Sequence, residues 1–187
     1  LPDEILCSII SLLTVREAAT TSVLSIKWRH LWKRTLNLNF DIRNNEFILW
    51  VDQLLQLYHG SKIETFKVNH PLSNEYVCQS DEWIQFAASR KVQNITLDLS
   101  KPKNVCKLYC FLCQLFAQGR CFSLKHLSLT NYNLSMLLGF GGFKSLLSFT
   151  LNLTILLLEN LQVLLSSCIF LGWLSLTCCI CPPRLKI

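Results

Sequence analysis

A spacing of apolar residues, repeated five times, constrains this chain more than anything else in it. One apolar residue, two others, a second apolar residue, one other and a third occur as Ile63-Phe66-Val68, Val92-Ile95-Leu97, Leu124-Leu127-Leu129, Leu146-Phe149-Leu151 and Leu171-Leu174-Leu176. Their starts lie 29, 32, 22 and 25 residues apart. The alternation that ends each copy is that of a short strand with one buried face. A unit this short cannot bury its apolar side alone, so the copies must stack and share a core. The residues between the apolar ones then point the other way. Lys67, Thr96, Asp98, His126, Ser128, Thr130, Thr150, Trp173 and Ser175 are the candidates for holding a partner on that outward face.

The period is close to the roughly 20–29 residues of a leucine-rich repeat, and its irregularity suits an array of unequal returns. In the last three copies the pattern runs on to Tyr132 with Leu134, Thr154 with Leu156, and Cys179 with Cys181. Two helices are expected beyond Asp41. Phe47, Val51, Leu54, Leu55 and Tyr58 share one face of the first, which Gly60 ends. The second is expected from Asp81, as its cap, to Ser89, with Trp83, Ile84 and Ala87 buried. Trp173 stands in so apolar a run that it is expected to be partly buried.

Residues 1–41 read differently, as a compact helical unit. Ile5, Leu6, Ile9, Leu12 and Leu13 recur at helical offsets, after Pro2, Asp3 and Glu4 at a first turn that tolerates a missing N–H and favours acids. Thr14 and Glu17 form a capping-box pattern that opens a second helix through about Leu24. Ser25 can cap a third, carrying Trp28, Leu31 and Trp32 on one face. Three helices in so few residues leave apolar surface over, which implies a partner.

The order Leu1-Pro2-Asp3-Glu4-Ile5-Leu6, Ser11-Leu12-Leu13, Thr21-Ser22-Val23-Leu24-Ser25, Lys27-Trp28-Arg29-His30-Leu31-Trp32 and Leu38-Asn39-Phe40-Asp41 resembles the F-box of plant F-box proteins with leucine-rich repeats. Residues 50–68, 81–99 and 165–179 resemble the same family. The resemblance implies an α/β chain: an N-terminal three-helix F-box over 1–41, a linker helix over 42–61, and an irregular leucine-rich-repeat solenoid over 62–187. It also implies that Leu1, Pro2, Ile5, Leu6, Ile9, Leu12 and Leu13 dock a Skp-type adaptor, and through it a cullin. Two positions depart from the family pattern: Thr14 stands where proline is usual, and Ile26 where lysine or arginine is usual. The family's further repeats are absent from these 187 residues, so a truncated product with an uncapped last repeat is expected.

Composition removes other classes. Lysine and arginine exceed aspartate and glutamate by 18 − 12 = 6, but the excess is scattered through residues 101–187 with no basic run, which argues against nucleic acid. The ten cysteines sit in apolar runs without a signal peptide, which argues for buried thiols in a reducing compartment, cytoplasmic or nuclear. Cys106, Cys110 and Cys113 have the spacing of one buried helical face rather than of a zinc knuckle, so no metal or other cofactor is expected. Residues 161–181 are uncharged and long enough to span a bilayer, yet their polar residues and repeat register place them in the array instead. No histidine has a ligand or triad spacing, and Gly139, Gly141 and Gly142 fail the spacing of a phosphate loop. The expectation is a non-enzymatic recruiter of an unknown target protein to a ubiquitin ligase. The alternative is a repeat-based binding module without ligase coupling.

Overall fold

The computed structural model describes residues 2–23, 25–41, 46–69, 77–99, 109–112, 123–135, 143–152 and 158–177. Helices α1 (Asp3–Ser11), α2 (Val15–Thr20) and α3 (Ile26–Leu31) come first, with single 3-10 turns at Thr21–Val23 and Trp32–Arg34. Strand β1 (Asn37–Asp41), helix α4 (Glu46–Leu57), β2 (Thr65–Asn69), α5 (Val77–Ser89) and β3 (Asn94–Asp98) follow. Then come β4 (Tyr109–Leu112), β5 (His126–Thr130), β6 (Tyr132–Ser135), β7 (Ser148–Asn152), α6 (Leu158–Ser167) and β8 (Trp173–Thr177).

Six strands form one parallel sheet in the order β1-β2-β3-β5-β7-β8. Parallel neighbours need a crossover, and α4, α5 and α6 supply three of them. In each strand the second and fourth residues line up with those of the next. Leu38, Phe66, Ile95, Leu127, Phe149 and Leu174 make one rank, and Phe40, Val68, Leu97, Leu129, Leu151 and Leu176 the other. Through β7 these residues are almost completely buried, each contributing on the order of 1.5–3 kcal/mol by leaving water.

A second regularity lies in the backbone. The carbonyls of Leu36, Glu64, Gln93, Lys125 and Leu147 each accept two N–H groups from the following rung, at 2.7–3.2 Å. Each acceptor directly follows the first residue of a repeat, so the register is set before each strand begins.

The first rung was not legible as a repeat. Thr35-Leu38-Phe40 has the same spacing as the five later copies, but threonine fills the first apolar position. Thr35 is nonetheless buried, and β1 pairs with β2 in full register. The sheet therefore begins inside the 1–41 stretch, and Ile10, Val15, Ala18 and Trp32 share one apolar core with the strands.

Other expectations shift. The second helix of the N-terminal stretch closes at Thr20 and passes into the 3-10 turn. Helix α5 starts at Val77, so Asp81 lies within it rather than capping it. Cys110 falls in β4, which pairs with β6, so the helical face drawn through the three cysteines does not hold there; Cys106 and Cys113 lie outside the described residues. Thr154, Leu156, Cys179, Cys181 and the three loop glycines lie outside them too. Residues 161–177 divide into the end of α6, a turn and β8, and no helix among the described residues is long and apolar enough to cross a membrane.

Asn131, between β5 and β6, takes φ 67° in the left-handed region that asparagine tolerates. Its side-chain amide donates to the Leu99 carbonyl at 3.0 Å, pinning the chain where it leaves the large sheet. Beyond the turn, Tyr132 and Leu134 are buried, and Tyr132 meets Phe111 edge-on at 6.0 Å.

Two candidate interaction surfaces

Helix α1 carries two apolar stripes one residue apart. Leu6 and Ile10 point inward and are buried, and Leu13 packs partly against the core. Ile5, Ile9 and Leu12 form the other stripe, 48%, 39% and 87% exposed. Pro2 is also exposed and sits at the N-cap, where its carbonyl accepts from the Leu6 N–H. Of the expected adaptor residues, the structure thus keeps Pro2, Ile5, Ile9 and Leu12 open. It turns Leu6 into a buried residue, because a helix packed against α3 must anchor one side. Leu1 lies outside the described residues.

The start of α2 is fixed by local chemistry. Thr14 Oγ1 accepts the Glu17 N–H at 3.3 Å, and the Glu17 carboxylate accepts the Thr14 N–H and hydroxyl at 2.8 Å each. These bonds hold the Glu17 carboxyl below its usual range. Thr14 and Glu17 thus complete a full capping box. Ile26 begins α3, and its side chain lies outside the described set.

The second surface is the outward face of the sheet. Its middle row, in register, is Asn39, Lys67, Thr96, Ser128, Thr150 and Ser175. His126 and Trp173 belong to the row on its N-terminal side, with Asn37 from β1 at the far end. Asp98 and Thr130 belong to the row on its C-terminal side, which starts at Asp41. All nine residues expected to hold a target therefore lie on this one face. Asn37, Asn39 and Asp41 extend it and were missed because the rung they belong to was missed. Short amide and hydroxyl side chains dominate, so the face is suited to hydrogen bonding. Lys67 and His126 are exposed, while Thr96, Asp98, Ser128, Thr130, Thr150 and Ser175 are partly covered. Trp173 is 65% exposed, not partly buried as expected, because no strand lies beyond β8 among the described residues.

On the helical side, α4 and α5 flank a groove of about 440 Å³. Asp52 accepts the Trp83 indole N–H at 2.6 Å across it. Arg90 stacks on Phe86 at 3.9 Å and donates to the Gly60 carbonyl, so the groove's aromatic wall already holds a cation. Burial pushes up the Asp81 carboxyl and the Cys168 thiol, and burial with the charges of Asp81 and Asp98 holds Tyr132 well above the usual tyrosine range. Among the described residues no group of histidine, cysteine and acidic side chains is placed to hold a metal ion.

Residues 1–39 match the family profile described as F-box domain, and residues 54–187 match the one described as At1g61320/AtMIF1, LRR domain. The Arabidopsis thaliana F-box/LRR-repeat protein At3g28410 is 33% identical over 177 residues, 94% of this chain and 36% of that protein. At1g56400, an F-box/LRR-repeat protein of the same plant, is 35% identical over 115 residues, 54% of this chain and 24% of its own. The F-box/FBD/LRR-repeat protein At5g22700 is 34% identical over 102 residues, 52% and 23%. The chain thus spans about a quarter to a third of the length of these relatives.

Proposed function

The chain belongs to the F-box/leucine-rich-repeat family, and on that footing we propose that it is the substrate-recruiting subunit of a Skp–cullin–F-box ubiquitin ligase. The observation that carries this reading is the divided helix α1. Leu6 and Ile10 anchor it to the core, while Ile5, Ile9 and Leu12 are left on the outside, a stripe of the kind that seats in an apolar groove of a partner. An adaptor of the Skp type takes that stripe, together with Leu1 and Pro2.

The sheet's outward face then holds the target protein. Lys67, Thr96, Asp98, His126, Ser128, Thr130, Thr150 and Ser175 offer hydrogen bonds and charge, and Trp173 an aromatic anchor. The chain needs no catalytic group of its own. Holding the target beside the ligase raises the effective concentration at which other subunits transfer ubiquitin.

Co-purification with a Skp-type adaptor tests the proposal. The chain should retain the adaptor, and the double substitution Ile5→Glu, Ile9→Glu should abolish retention while leaving the melting temperature unchanged. Absence of adaptor binding by the unsubstituted, folded chain would overturn it.

A further inference from the structure

The turns that lead into the strands share a charge that no single stretch of sequence shows. From two residues before the first repeat position to one after it, the rungs of β1, β2, β3, β5 and β7 run 33–36, 61–64, 90–93, 122–125 and 144–147. These segments hold Lys33, Arg34, Lys62, Arg90, Lys91, Lys125 and Lys144 against Glu64. Their net charge, 7 − 1 = +6, equals that of all 187 residues, and the other positions hold 18 − 7 = 11 basic and 12 − 1 = 11 acidic groups. The backbone sets the segments side by side. The Lys33 carbonyl accepts the His59 and Gly60 N–H groups at 2.9 and 3.1 Å, and the Arg90 carbonyl accepts the Ile63 N–H at 3.0 Å. Adjacent rungs of a sheet lie about 4.8 Å apart, so charges distant in sequence become a row along the strand-entry edge. Lys33 and Arg90 meet the Trp32 and Phe86 rings, and Lys62 lies 3.6 Å from Glu64. Arg34, Lys62, Lys91 and Lys125 are exposed. Such a row repels itself. Lys91 adds strain, because its φ of 56° lies in the left-handed region that asparagine or glycine would take more easily.

We infer that this strand-entry edge binds an acidic segment of a protein. That the segment belongs to the target rests on the recruiting role proposed above; the binding itself rests on the edge. An exposed row of cations, one of them on a strained backbone, is relieved by a ligand of opposite charge. The other members of the row select a protein over a nucleic acid. Leu36 and Leu147 are 41% and 43% exposed at the position that Glu64, Gln93 and Lys125 fill in the rungs between them. Apolar contact beside cations fits a segment that mixes carboxylates with apolar side chains. Glu64 repels phosphates, and none of the exposed residues described in these segments is an aromatic on which bases could stack. The strand-exit row carries Asp41 and Asp98 instead, so an acidic segment is drawn to one edge of the sheet and turned away from the other.

Fluorescence anisotropy on the whole chain tests this with a labelled peptide of glutamate, leucine and serine, its glutamine counterpart, and a labelled single-stranded oligonucleotide. The glutamate peptide should bind, more weakly as salt rises, and the glutamine peptide should not. The double substitution Lys91→Asn, Lys125→Gln should weaken binding by about fivefold or more, as loss of two exposed ion pairs does. Its melting temperature should stay or rise, because asparagine suits the backbone at position 91. Gln53→Glu with Gln85→Glu changes the net charge equally on the exposed helical side and should leave binding within about twofold. Adaptor retention by the same chain is read separately, so its absence would strike the recruiting role and leave the acidic-segment site standing. No binding of the glutamate peptide, equal binding of the glutamine peptide, tighter binding of the oligonucleotide, or an edge variant no weaker than the helical-side control overturns the inference.

Discussion

The Tyr58 hydroxyl donates to the Thr35 carbonyl at 2.7 Å, with the Lys62 carbonyl at 3.1 Å on its other side. This ties the residue after α4 to the residue that opens the first rung, 23 positions earlier. Tyr58 is 3% exposed and its bond to Thr35 is buried, so the Thr35 carbonyl has no ready access to water in its place. Tyr58→Phe should cost about 1–3 kcal/mol of stability, the penalty for leaving the buried Thr35 carbonyl unpaired. Denaturant unfolding followed by tryptophan fluorescence measures this, and an unchanged midpoint would show that the link contributes nothing.

The same tyrosine makes a prediction about alkaline pH. Burial pushes its pKa up to about 12, against a smaller lowering by the nearby Arg90 guanidinium. A tyrosine whose folded pKa lies above its unfolded value of about 10 favours the fold fully below that value, and the contribution is lost as pH rises through the folded pKa. Stability should therefore fall between about pH 10 and about 12. Comparing the chain with Tyr58→Phe over this window isolates the residue, since Tyr132 contributes to both. Parallel pH profiles for the two would refute the assignment.

Gly60 is held to glycine by the end of the same ring. A Cβ at this position would collide with the Tyr58 ring end, which two carbonyls fix in place. Gly60→Ala should destabilise by about 1–3 kcal/mol, the usual cost of overpacking. In the Tyr58→Phe background its cost should drop, because the hydroxyl is gone and the ring, no longer tied to the two carbonyls, can shift away. Additive effects in that double-mutant cycle would place the strain elsewhere.

The repeats were legible in the sequence where both faces of the rule were obeyed, as at Phe66-Val68 and Phe149-Leu151, because alternation and spacing are direct consequences of a strand with one dry side. They were illegible at Thr35, where a polar residue fills an apolar position. Thr35 Oγ1 lies 3.4 Å from both the carbonyl and the N–H of Asn37, so its polarity is met locally. Spacing alone also could not divide α1. Apolar residues at positions 5, 6, 9, 10, 12 and 13 announce one broad face, and only the packing of α1 against α3 decides that Leu6 goes in and Ile5 stays out. The outward row was readable from the same alternation, but the exposure of Trp173 depends on what lies beside β8, which no local pattern encodes.

The first rung offers a direct check. Thr35→Val keeps the shape and gives the first position the apolar character of Ile63, Val92, Leu124 and Leu146. Its long hydroxyl contacts are weak ones, so the substitution should change stability by less than about 1 kcal/mol in either direction. A loss of more than about 2 kcal/mol, a size reached when a buried polar group is left without its partner, would mean that the hydroxyl, not the shape, holds the rung in register.

The division of α1 predicts opposite outcomes for residues one position apart. Leu6 is 3% exposed, so Leu6→Ala leaves a cavity under the helix and should cost about 2–5 kcal/mol. Ile5 is 48% exposed and lies on the outer stripe, so Ile5→Ala should cost less than about 1 kcal/mol. If both substitutions destabilise equally, the outer stripe belongs to the chain's own core and is not available to a partner. If Leu6→Ala is silent, the helix is not anchored where the structure places it. Equilibrium unfolding of the two variants side by side decides the matter. Only a large loss at Leu6 with little at Ile5 is consistent with a helix half committed to the fold and half left for docking.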